Sequence, residues 1–332
     1  MLQDRPSHEQ HLVLVQMPRG PWPDLPDGGT TIVRGMRALL HYPRLAWHAS
    51  TADRIFLHGL FTPAPMAALL LLPWVWRRLY WVVWGGDLYA GRRRRVGWPL
   101  VLTHLIRRLL TARIMHLVTY IPGDVAYSRR HHAACARMHP CLMYTSNTPL
   151  PATSATLQVD SRPHLLLGNS ADPANGHASL LRLAARHRNA IDRVTIPLSY
   201  GQKDHACAVA ALAGRMFGSS CRILTGFMPL EEYLALLDSV DIAVFNHREQ
   251  QAMGNTIHLL SRGKQVYLRR NTSQWQLFTS LGIKVGATED FDPRGRIDTT
   301  VNPGIVHRLF NREQLVRQWA DLFATTEDSA QP

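Results

Sequence analysis

A polar segment at residues 168–172 follows a run of three leucines and precedes a helical pattern. Gly168 lets the backbone approach a ligand closely, and the free N–H groups at the start of a helix favour an anion. Asn169 and Ser170 offer hydrogen bonds, while Asp172 could cap the helix or bind a sugar hydroxyl. The segment therefore predicts an anion-binding site, and an ordinary loop between a strand and a helix is the alternative.

A second polar segment, residues 246–255, also lies between a strand pattern and a helical pattern. Arg248 can bind a phosphate through two parallel hydrogen bonds, although a surface ion pair with Glu249 is the alternative. Amide side chains of the same segment can bind hydroxyls or other amides, and these are Gln250, Gln251 and Asn255. Upstream, Tyr200 could stack on a base or a sugar ring, or it could simply anchor its loop.

Two titratable residues of the first half, His58 and Asp87, follow candidate strands that we expect to be neighbours. Transfer of a group to a hydroxyl needs a base that takes its proton, and either side chain can do so. Trp84 and Tyr89 could shield Asp87 from water and raise its pKa. We therefore predict that Asp87 is the base, with His58 as its partner or as a ligand of the acceptor hydroxyl. The alternatives are a helix-capping aspartate and a core histidine.

A basic run with apolar neighbours suits the headgroup region of an anionic bilayer. The residues predicted to face the membrane or the acceptor are Trp74, Trp76, Arg92, Arg93, Arg94, Arg95 and Trp98. The helix predicted after the run has an apolar face made of Trp98, Leu102, Leu105, Ile106 and Leu109. Three arginines are predicted beside that face, and these are Arg107, Arg108 and Arg113. The alternative is a solvated face of an arginine-rich protein.

The charge of the 332-residue chain is unevenly distributed. Residues 1–150 contain 18 arginines and 7 acidic residues, whereas residues 151–332 contain 19 basic and 17 acidic residues. The first half should therefore face an anionic partner, such as a membrane surface, an acidic substrate or nucleic acid. We expect no nucleic acid, because no known binding motif interleaves the basic residues with aromatic ones.

The remaining composition favours a protein of the reducing cytoplasm. The four cysteines show no CxxC spacing and do not resemble a disulfide framework. The polar, mixed-charge start lacks the features of a signal peptide. The longest apolar run, residues 66–76, is shorter than the roughly 20 residues of a membrane span. Together with the basic first half, this predicts a peripheral protein on the cytoplasmic face of a membrane.

The second half alternates strand and helix patterns. Strands are predicted at residues 164–168, 193–197, 220–224, 241–245 and 265–268. Helices are predicted near residues 176–188, 203–217, 229–238, 254–262 and 273–281. This alternation indicates a parallel sheet with helices on both faces. In the first half, strands predicted at residues 54–57, 79–84 and 114–120 indicate a second, looser α/β domain.

The absence of GxGxxG and GxxxxGK[ST] motifs disfavours a dehydrogenase and a P-loop enzyme. The pattern favours an α/β protein of GT-B architecture, with two Rossmann-like domains facing each other across a cleft. We predict an acceptor- and membrane-facing domain at residues 1–148, a linker at 149–163 and a nucleotide-sugar domain at 164–310. A final helix at residues 311–326 is predicted to return to the first domain.

Seven pieces of the sequence carry a resemblance to a known family. They are FLHGLFTP (56–63), WGGDLY (84–89), LLLGNSADPANGH (165–177), IPLSYG (196–201), YLALLDSVDIAVF (233–245), REQQAMGN (248–255) and RNTSQW (270–275). Through them the chain resembles the TDP-N-acetylfucosamine:lipid II N-acetylfucosaminyltransferases of enterobacterial common antigen synthesis, glycosyltransferase family 56.

The resemblance implies a membrane-associated bacterial enzyme that uses a TDP-linked 4-acetamido-4,6-dideoxygalactose and a polyprenyl-diphosphate-linked acceptor. It implies neither a metal nor a cofactor. Residues 168–177, including His177, look like the donor-side loop, in which helix starts and Arg248 would stabilise the diphosphate leaving group. A Fuc3NAc-type donor or a polysaccharide acceptor is an alternative. Other functions left open are a non-catalytic nucleotide-sugar-binding scaffold and another GT-B-like enzyme such as an epimerase.

Overall fold

The computed structural model describes residues 42–92, 97–149 and 162–324, together with the strands Val13–Met17 and Thr30–Arg34. The chain divides into two compact units. The first contains Met1–Thr119, Tyr127–His139 and Val316–Pro332, and the second contains Tyr120–Ala126 and Pro140–Leu315. The predicted division had a linker at residues 149–163 and a final helix, residues 311–326, that returns to the first domain; in the structure, Tyr120–Ala126 also belongs to the second unit.

The first unit is built on a four-stranded parallel sheet of order β3-β4-β5-β6. Its strands are β3 (Ile55–His58), β4 (Leu79–Val82), β5 (His116–Val118) and β6 (Arg137–His139). A separate parallel pair joins β1 (Val13–Met17) and β2 (Thr30–Arg34). The helices of this part of the chain are α1 (Tyr42–Thr51), α2 (Pro63–Leu70), α3 (Gly85–Leu88), α4 (Trp98–Thr111) and α5 (Pro122–His132).

The second unit is built on a six-stranded parallel sheet of order β12-β11-β10-β7-β8-β9. Its strands are β7 (His164–Leu167), β8 (Arg193–Pro197), β9 (Cys221–Leu224), β10 (Ile242–Val244), β11 (Gln265–Leu268) and β12 (Gly286–Ala287). Its helices are α6 (His177–Ala185), α7 (Lys203–Phe217), α8 (Leu230–Asp238), α9 (Met253–Ser261), α10 (Ser273–Ser280) and α11 (Asn302–Leu309). The strand order reverses once, where β10 returns to pair with β7.

The central strand β7 shows why this sequence forms a parallel sheet. Its side chains alternate between the two faces of the sheet, yet Leu165, Leu166 and Leu167 are all buried. Both faces must therefore be covered, as is usual in parallel sheets, whose strands are continuous apolar runs. The strands and helices predicted for residues 164–281 are confirmed to within about one residue for strands and three for helices. The polar edge strand β6 was not predicted, because Arg137-Met-His139 offers no apolar pattern.

The last helix, α12 (Arg312–Ala324), is assigned to the first unit from Val316 onwards. Trp319 and Phe323 each pack edge-on against Phe56 of β3, with ring centroids 5.4 Å apart in both pairs. His58 stacks on Trp319 at 6.1 Å. These aromatic contacts hold α12 against the first sheet.

Among the described helices, none has the length and apolarity that crossing a bilayer requires.

Candidate active site

Two polar loops meet at the carboxyl edge of the second sheet, at the point where its strand order reverses. One loop follows β7 and the other follows β10, and these strands are hydrogen-bonded neighbours. Ligands of open α/β sheets bind at such reversals, because the chain segments that follow the two strands run on toward opposite faces of the sheet and leave a crevice between them. Both loops are the polar segments that the sequence analysis selected for anion binding.

The side-chain oxygen of Asn175 ties the two loops together. Asn175 Oδ1 accepts one hydrogen bond from the backbone N–H of Asn169 at 2.9 Å. The same oxygen lies 2.9 Å from Nε2 of His247, and Asn169 Oδ1 lies 3.0 Å from that nitrogen. A backbone N–H can only donate, so Asn175 Oδ1 is an acceptor and Nε2 of His247 must carry the proton.

The protonation of Nε2 leaves Nδ1 of His247 with a lone pair. That atom is buried and has no hydrogen-bond partner in the described part of the chain. Burial lowers the pKa of His247 to about 3, and the nearby His177 contributes to the shift. His247 is therefore a neutral hydrogen-bonding group at the base of the loops. His247 was not among the predicted residues, although its place in the loop after β10 was a usable signal.

Several of the predicted donor-site residues belong to the same network. Asn169 Nδ2 donates to the hydroxyl of Tyr200 at 2.9 Å. Asn175 Nδ2 donates to Gln251 Oε1 at 3.2 Å, and Gln251 Nε2 donates to Glu249 Oε1 at 2.8 Å. The structure thus brings together side chains from the loops after β7, β8 and β10, while about half of the Tyr200 side chain stays exposed.

Gly168 has to be a glycine in this arrangement. Its φ of +71° lies in the left-handed region, which other residues rarely adopt. A Cβ atom there would lie 2.9 Å from both Asn175 Oδ1 and His177 Nε2. His177 Nδ1 lies 3.1 Å from His205 Nε2, whereas its buried Nε2 has no partner among the described residues. Burial, with His205 as the second cause, lowers the pKa of His177 to about 4.

The other predicted residues of the first loop shape the loop itself. Asp172 Oδ1 accepts from the backbone N–H of Ala174 at 2.9 Å and caps a short 3₁₀ helix, Pro173–Asn175. Ser170 is buried, and its Oγ accepts from Asn175 Nδ2 at 3.3 Å. Asp172 thus caps this 3₁₀ helix and not the predicted helix α6, whose N-cap is Gly176.

The second loop divides its predicted residues between the interior and the surface. Arg248 is exposed, Gln250 is half-buried and Glu249 is buried. Asn255 Nδ2 donates to the hydroxyl of Tyr233 at 2.8 Å, so this amide joins α9 to α8. Glu249 accepts from the amide of Gln251, as described above, and thereby helps to shape the interior of the loop.

A further pair beside this loop was missed by the sequence analysis. Arg269, just after β11, donates through one NH group to Asn246 Oδ1 at 2.9 Å. Asn246 Nδ2 in turn donates to Ser179 Oγ at 3.1 Å. Arg269 therefore places a second guanidinium at the same carboxyl edge, next to the loop that carries Arg248.

In the first unit, the environment of Asp87 does not fit the predicted role of base. The carboxylate is 0 % exposed and accepts four hydrogen bonds. Their donors are the backbone N–H groups of Leu60 (2.7 Å), Trp84 (3.0 Å) and Leu88 (2.8 Å) and the indole Nε1 of Trp81 (2.7 Å). With both oxygens engaged and no exposed surface, this carboxylate is better suited to positioning than to taking a proton from a bound hydroxyl. Asp87 is instead a positioning residue that joins the loop after β3 to α3.

The pKa of Asp87 is raised, as the sequence predicted. Burial raises it to about 6, while the hydrogen bonds from Trp81 and Leu60 and the charge of Arg107 act in the opposite direction. Arg107 is itself buried, and its Nε donates to the backbone oxygen of Leu60 at 2.8 Å. The prediction that Arg107 lies beside the apolar face of α4 at the surface is therefore wrong. Its charge is balanced in the interior by Asp87.

His58 has the accessibility that Asp87 lacks. It ends β3, which pairs in parallel with β4 as predicted, and it is the exposed residue of that strand. Its ring stacks on Trp319, as described above. Of the two residues predicted for proton transfer, His58 is therefore the one whose side chain reaches the surface.

The predicted membrane-facing residues differ in exposure. Trp98 and Trp74 are 77 % and 59 % exposed, and the indole N–H of Trp74 donates to Ser50 Oγ at 2.9 Å. Trp76 is half-buried, donates to the backbone oxygen of Leu69 at 3.0 Å and lies under the guanidinium of Arg113 at 5.1 Å. The side chains of Arg92, Arg93, Arg94 and Arg95 lie outside the described residues.

The described side chains contain no group of three or more His, Cys, Asp or Glu residues arranged to hold a metal ion.

Comparison with known families identifies the family of this chain. The family model of 4-alpha-L-fucosyltransferase glycosyl transferase group 56 matches residues 37–296. The chain belongs to this glycosyltransferase family. It is therefore an enzyme that transfers a sugar from a nucleotide-sugar donor to an acceptor, as the sequence resemblance predicted.

Solved structures of other glycosyltransferases share the fold of this family 56 enzyme. HepE from Anabaena, in complex with UDP and glucose, is 12% identical over 90% of this chain and 87% of its own, with a TM-score of 0.65. WaaG, a glycosyltransferase involved in lipopolysaccharide biosynthesis, is 13% identical over 95% and 92%, with a TM-score of 0.62. Sucrose-phosphate synthase from Thermosynechococcus elongatus is 14% identical over 93% and 87%, with a TM-score of 0.66. The predicted GT-B fold is confirmed.

The buried role of Asp87 predicts that Asp87→Asn destabilises this glycosyltransferase. The asparagine amide keeps one acceptor oxygen, but its NH₂ group faces N–H donors that the second carboxylate oxygen now accepts from. Arg107 also loses the negative charge that balances it in the interior. We expect the free energy of unfolding in urea to fall by about 2–4 kcal/mol. Asp53→Asn, the same change at an exposed position, should leave it within about 0.5 kcal/mol. An Asp87→Asn enzyme of normal stability but without turnover would restore the assignment of Asp87 as base.

The neutral state of His247 predicts how its contribution depends on pH. Between pH 7 and pH 5 an unfolded histidine, with its ordinary pKa of about 6.5, takes up a proton that the folded His247 does not. Lowering the pH from 7 to 5 should therefore lower the free energy of unfolding by about 2 kcal/mol through this residue alone. The His247→Gln variant keeps a donor and cannot titrate. Its free energy of unfolding should therefore fall by about 2 kcal/mol less than that of the wild type over the same pH range. His307→Gln, at an exposed histidine, serves as control, and equal pH profiles of wild type and His247→Gln would contradict the expectation.

Proposed function

We propose that this glycosyltransferase moves an acetamido-dideoxyhexose, of the Fuc4NAc or Fuc3NAc kind, from a TDP-sugar to a lipid-linked or surface-polysaccharide acceptor. The family description, 4-alpha-L-fucosyltransferase, supports a fucose-like sugar. The observation that carries the donor site is the network joining Asn169, His247 and Gln251 at the reversal of the second sheet. Amides and hydroxyls held in fixed orientations there suit the hydroxyl and acetamido groups of such a sugar.

The leaving diphosphate is stabilised in this proposal without a metal ion or another cofactor. Arg248 is exposed in the loop after β10, and Arg269 lies at the same carboxyl edge. The loop leads into α9, whose first N–H groups carry a partial positive charge. Guanidinium groups and helix starts can neutralise developing charge on a leaving phosphate in the place of a cation.

The acceptor hydroxyl is deprotonated in this proposal by His58. Its imidazole reaches the surface at the carboxyl end of β3, whereas Asp87 is enclosed. Burial lowers the pKa of His58 below its ordinary value, so the imidazole is neutral at physiological pH and can accept a proton. Asp87 contributes indirectly, because it fixes Leu60 in the loop that follows His58.

We place the enzyme on the cytoplasmic face of the bacterial inner membrane, bound peripherally through its first unit. The support is an apolar and basic surface rather than a membrane span. Trp98, Leu105 and Trp74 are each more than half exposed. The excess of arginine over acidic residues in the first half supplies attraction to anionic lipids. Duplex DNA, which offers negative charge but no apolar layer, is not the expected partner.

The transfer reaction is tested with purified protein and a panel of TDP- and UDP-sugars, with and without a polyprenyl-diphosphate-linked acceptor. We expect release of TDP together with a glycosylated acceptor. A scaffold would bind the nucleotide sugar without turnover, and an epimerase would change the sugar without acceptor. Either result would overturn the proposed reaction.

The role of Arg248 is tested in the same system by calorimetry with TDP. Arg248→Ala should weaken binding by about 1.5–3 kcal/mol, since it removes charged hydrogen bonds to the diphosphate. Arg215→Ala, at an exposed arginine of α7, is the matched control and should bind as the wild type does. Unchanged affinity in Arg248→Ala would remove this residue from the diphosphate site.

The membrane surface is tested by sedimentation with vesicles of phosphatidylcholine containing an anionic phospholipid. We expect the wild type to sediment at low salt and to dissociate as salt rises, because screening weakens the attraction. The double variant Trp74→Ser, Trp98→Ser should stay in the supernatant, since it loses two interfacial anchors. Phe227→Ser, at an exposed aromatic residue of the second unit, is the control. Equal sedimentation of the double variant, or equal binding to duplex DNA, would contradict this surface.

A further inference from the structure

A cavity of about 740 Å³ lies between α4 and α5 in the first unit. Its walls include Leu105 and Arg108 of α4 and Tyr127 and His131 of α5. The volume falls within the range of small-molecule sites, which is about 300–1,000 Å³. No function assigned above uses this cavity.

The lining of the cavity contains Arg108, His104, His131 and His132, and no acidic residue. Burial lowers the pKa of His104, and that of His132 to about 4, so Arg108 supplies the positive charge of the lining. The Arg108 side chain forms neither a hydrogen bond nor an ion pair within the described part of the chain, whereas its neighbour Arg107 is buried beside Asp87. A cavity with an uncompensated guanidinium and the imidazole of His131 suits an anion that accepts hydrogen bonds, such as a phosphate.

The same helix presents a continuous apolar surface to the outside. Exposed fractions above 40 % are found along α4 at Trp98, Leu100, Val101, Leu102, Leu105 and Leu109. Exposed apolar patches of this kind mark contacts with partners or membranes. Leu105 belongs both to this surface and to the wall of the cavity, so the apolar and the basic regions are contiguous.

We propose that the cavity binds the phosphate headgroup of an anionic membrane phospholipid whose acyl chains lie along the exposed face of α4. This inference rests on the proposed peripheral membrane location and adds to it a defined lipid site. Free phosphate would use the basic lining alone, whereas a phospholipid uses the lining together with the adjoining apolar surface. Arg108 holds the phosphate through charged hydrogen bonds, with His131 as a further donor.

The site is tested with dihexanoyl-phosphatidylglycerol below its micelle concentration, added to the full-length protein and followed by calorimetry. We expect one lipid to bind per chain, and Arg108→Ala to weaken binding tenfold or more. Arg130→Ala, at an exposed arginine of α5 outside the cavity, is the matched control and should bind as the wild type does. Circular dichroism of both variants checks that the fold is retained.

The outcomes separate this site from the general membrane proposal. Equal lipid binding by Arg108→Ala and the wild type would overturn the cavity site, even if the wild type still sediments with anionic vesicles. Inorganic phosphate that competes as strongly as the lipid would assign the cavity to free phosphate and overturn the lipid source. Loss of vesicle sedimentation in the wild type would instead remove the membrane location itself.

Discussion

The return of β10 to pair with β7 is the constraint on which the donor side of this enzyme depends. Had β10 continued beyond β9, the loops after β7 and β10 would lie several strands apart. Because the strands are neighbours, Asn175 can accept from Asn169 and His247 at once. The reversal of strand order thus creates the crevice and also supplies the two loops that line it.

Burying the polar groups of this network costs free energy unless each has a hydrogen-bond partner, and those partners fix the orientation of each side chain. Each amide of Asn169 and Asn175 is engaged through both its oxygen and its nitrogen. Burying such groups without partners would cost roughly 1–3 kcal/mol each. The two atoms left without partners among the described residues, Nδ1 of His247 and Nε2 of His177, belong to neutral imidazoles, whose burial costs far less than that of a charge.

The sequence predicted this side of the protein well, because parallel strands such as Leu165-Leu166-Leu167 are apolar runs that end in polar loops. It predicted the first unit less well for reasons that are equally physical. The donors that enclose Asp87 include Leu60, 27 residues away, and only the fold brings them together. The sequence pattern showed a carboxylate after two glycines. Burial raises the pKa of that carboxylate whether it is a base or a buried hydrogen-bond acceptor. Accessibility separates a base from a buried acceptor, and a sequence pattern does not show it.

The Asp87 and Arg107 pair also explains why α4 exposes its apolar side chains. An ordinary surface helix buries its apolar stripe and leaves its arginines in water. In α4 the side of the helix that faces the core carries Arg107, Leu110 and Thr111, and Arg107 is fixed there by Leu60 and the charge of Asp87. With that side fixed, Trp98 and Leu105 must point outward. A buried arginine, held by the backbone of Leu60 and by the charge of Asp87, therefore determines which surface this unit presents to its surroundings.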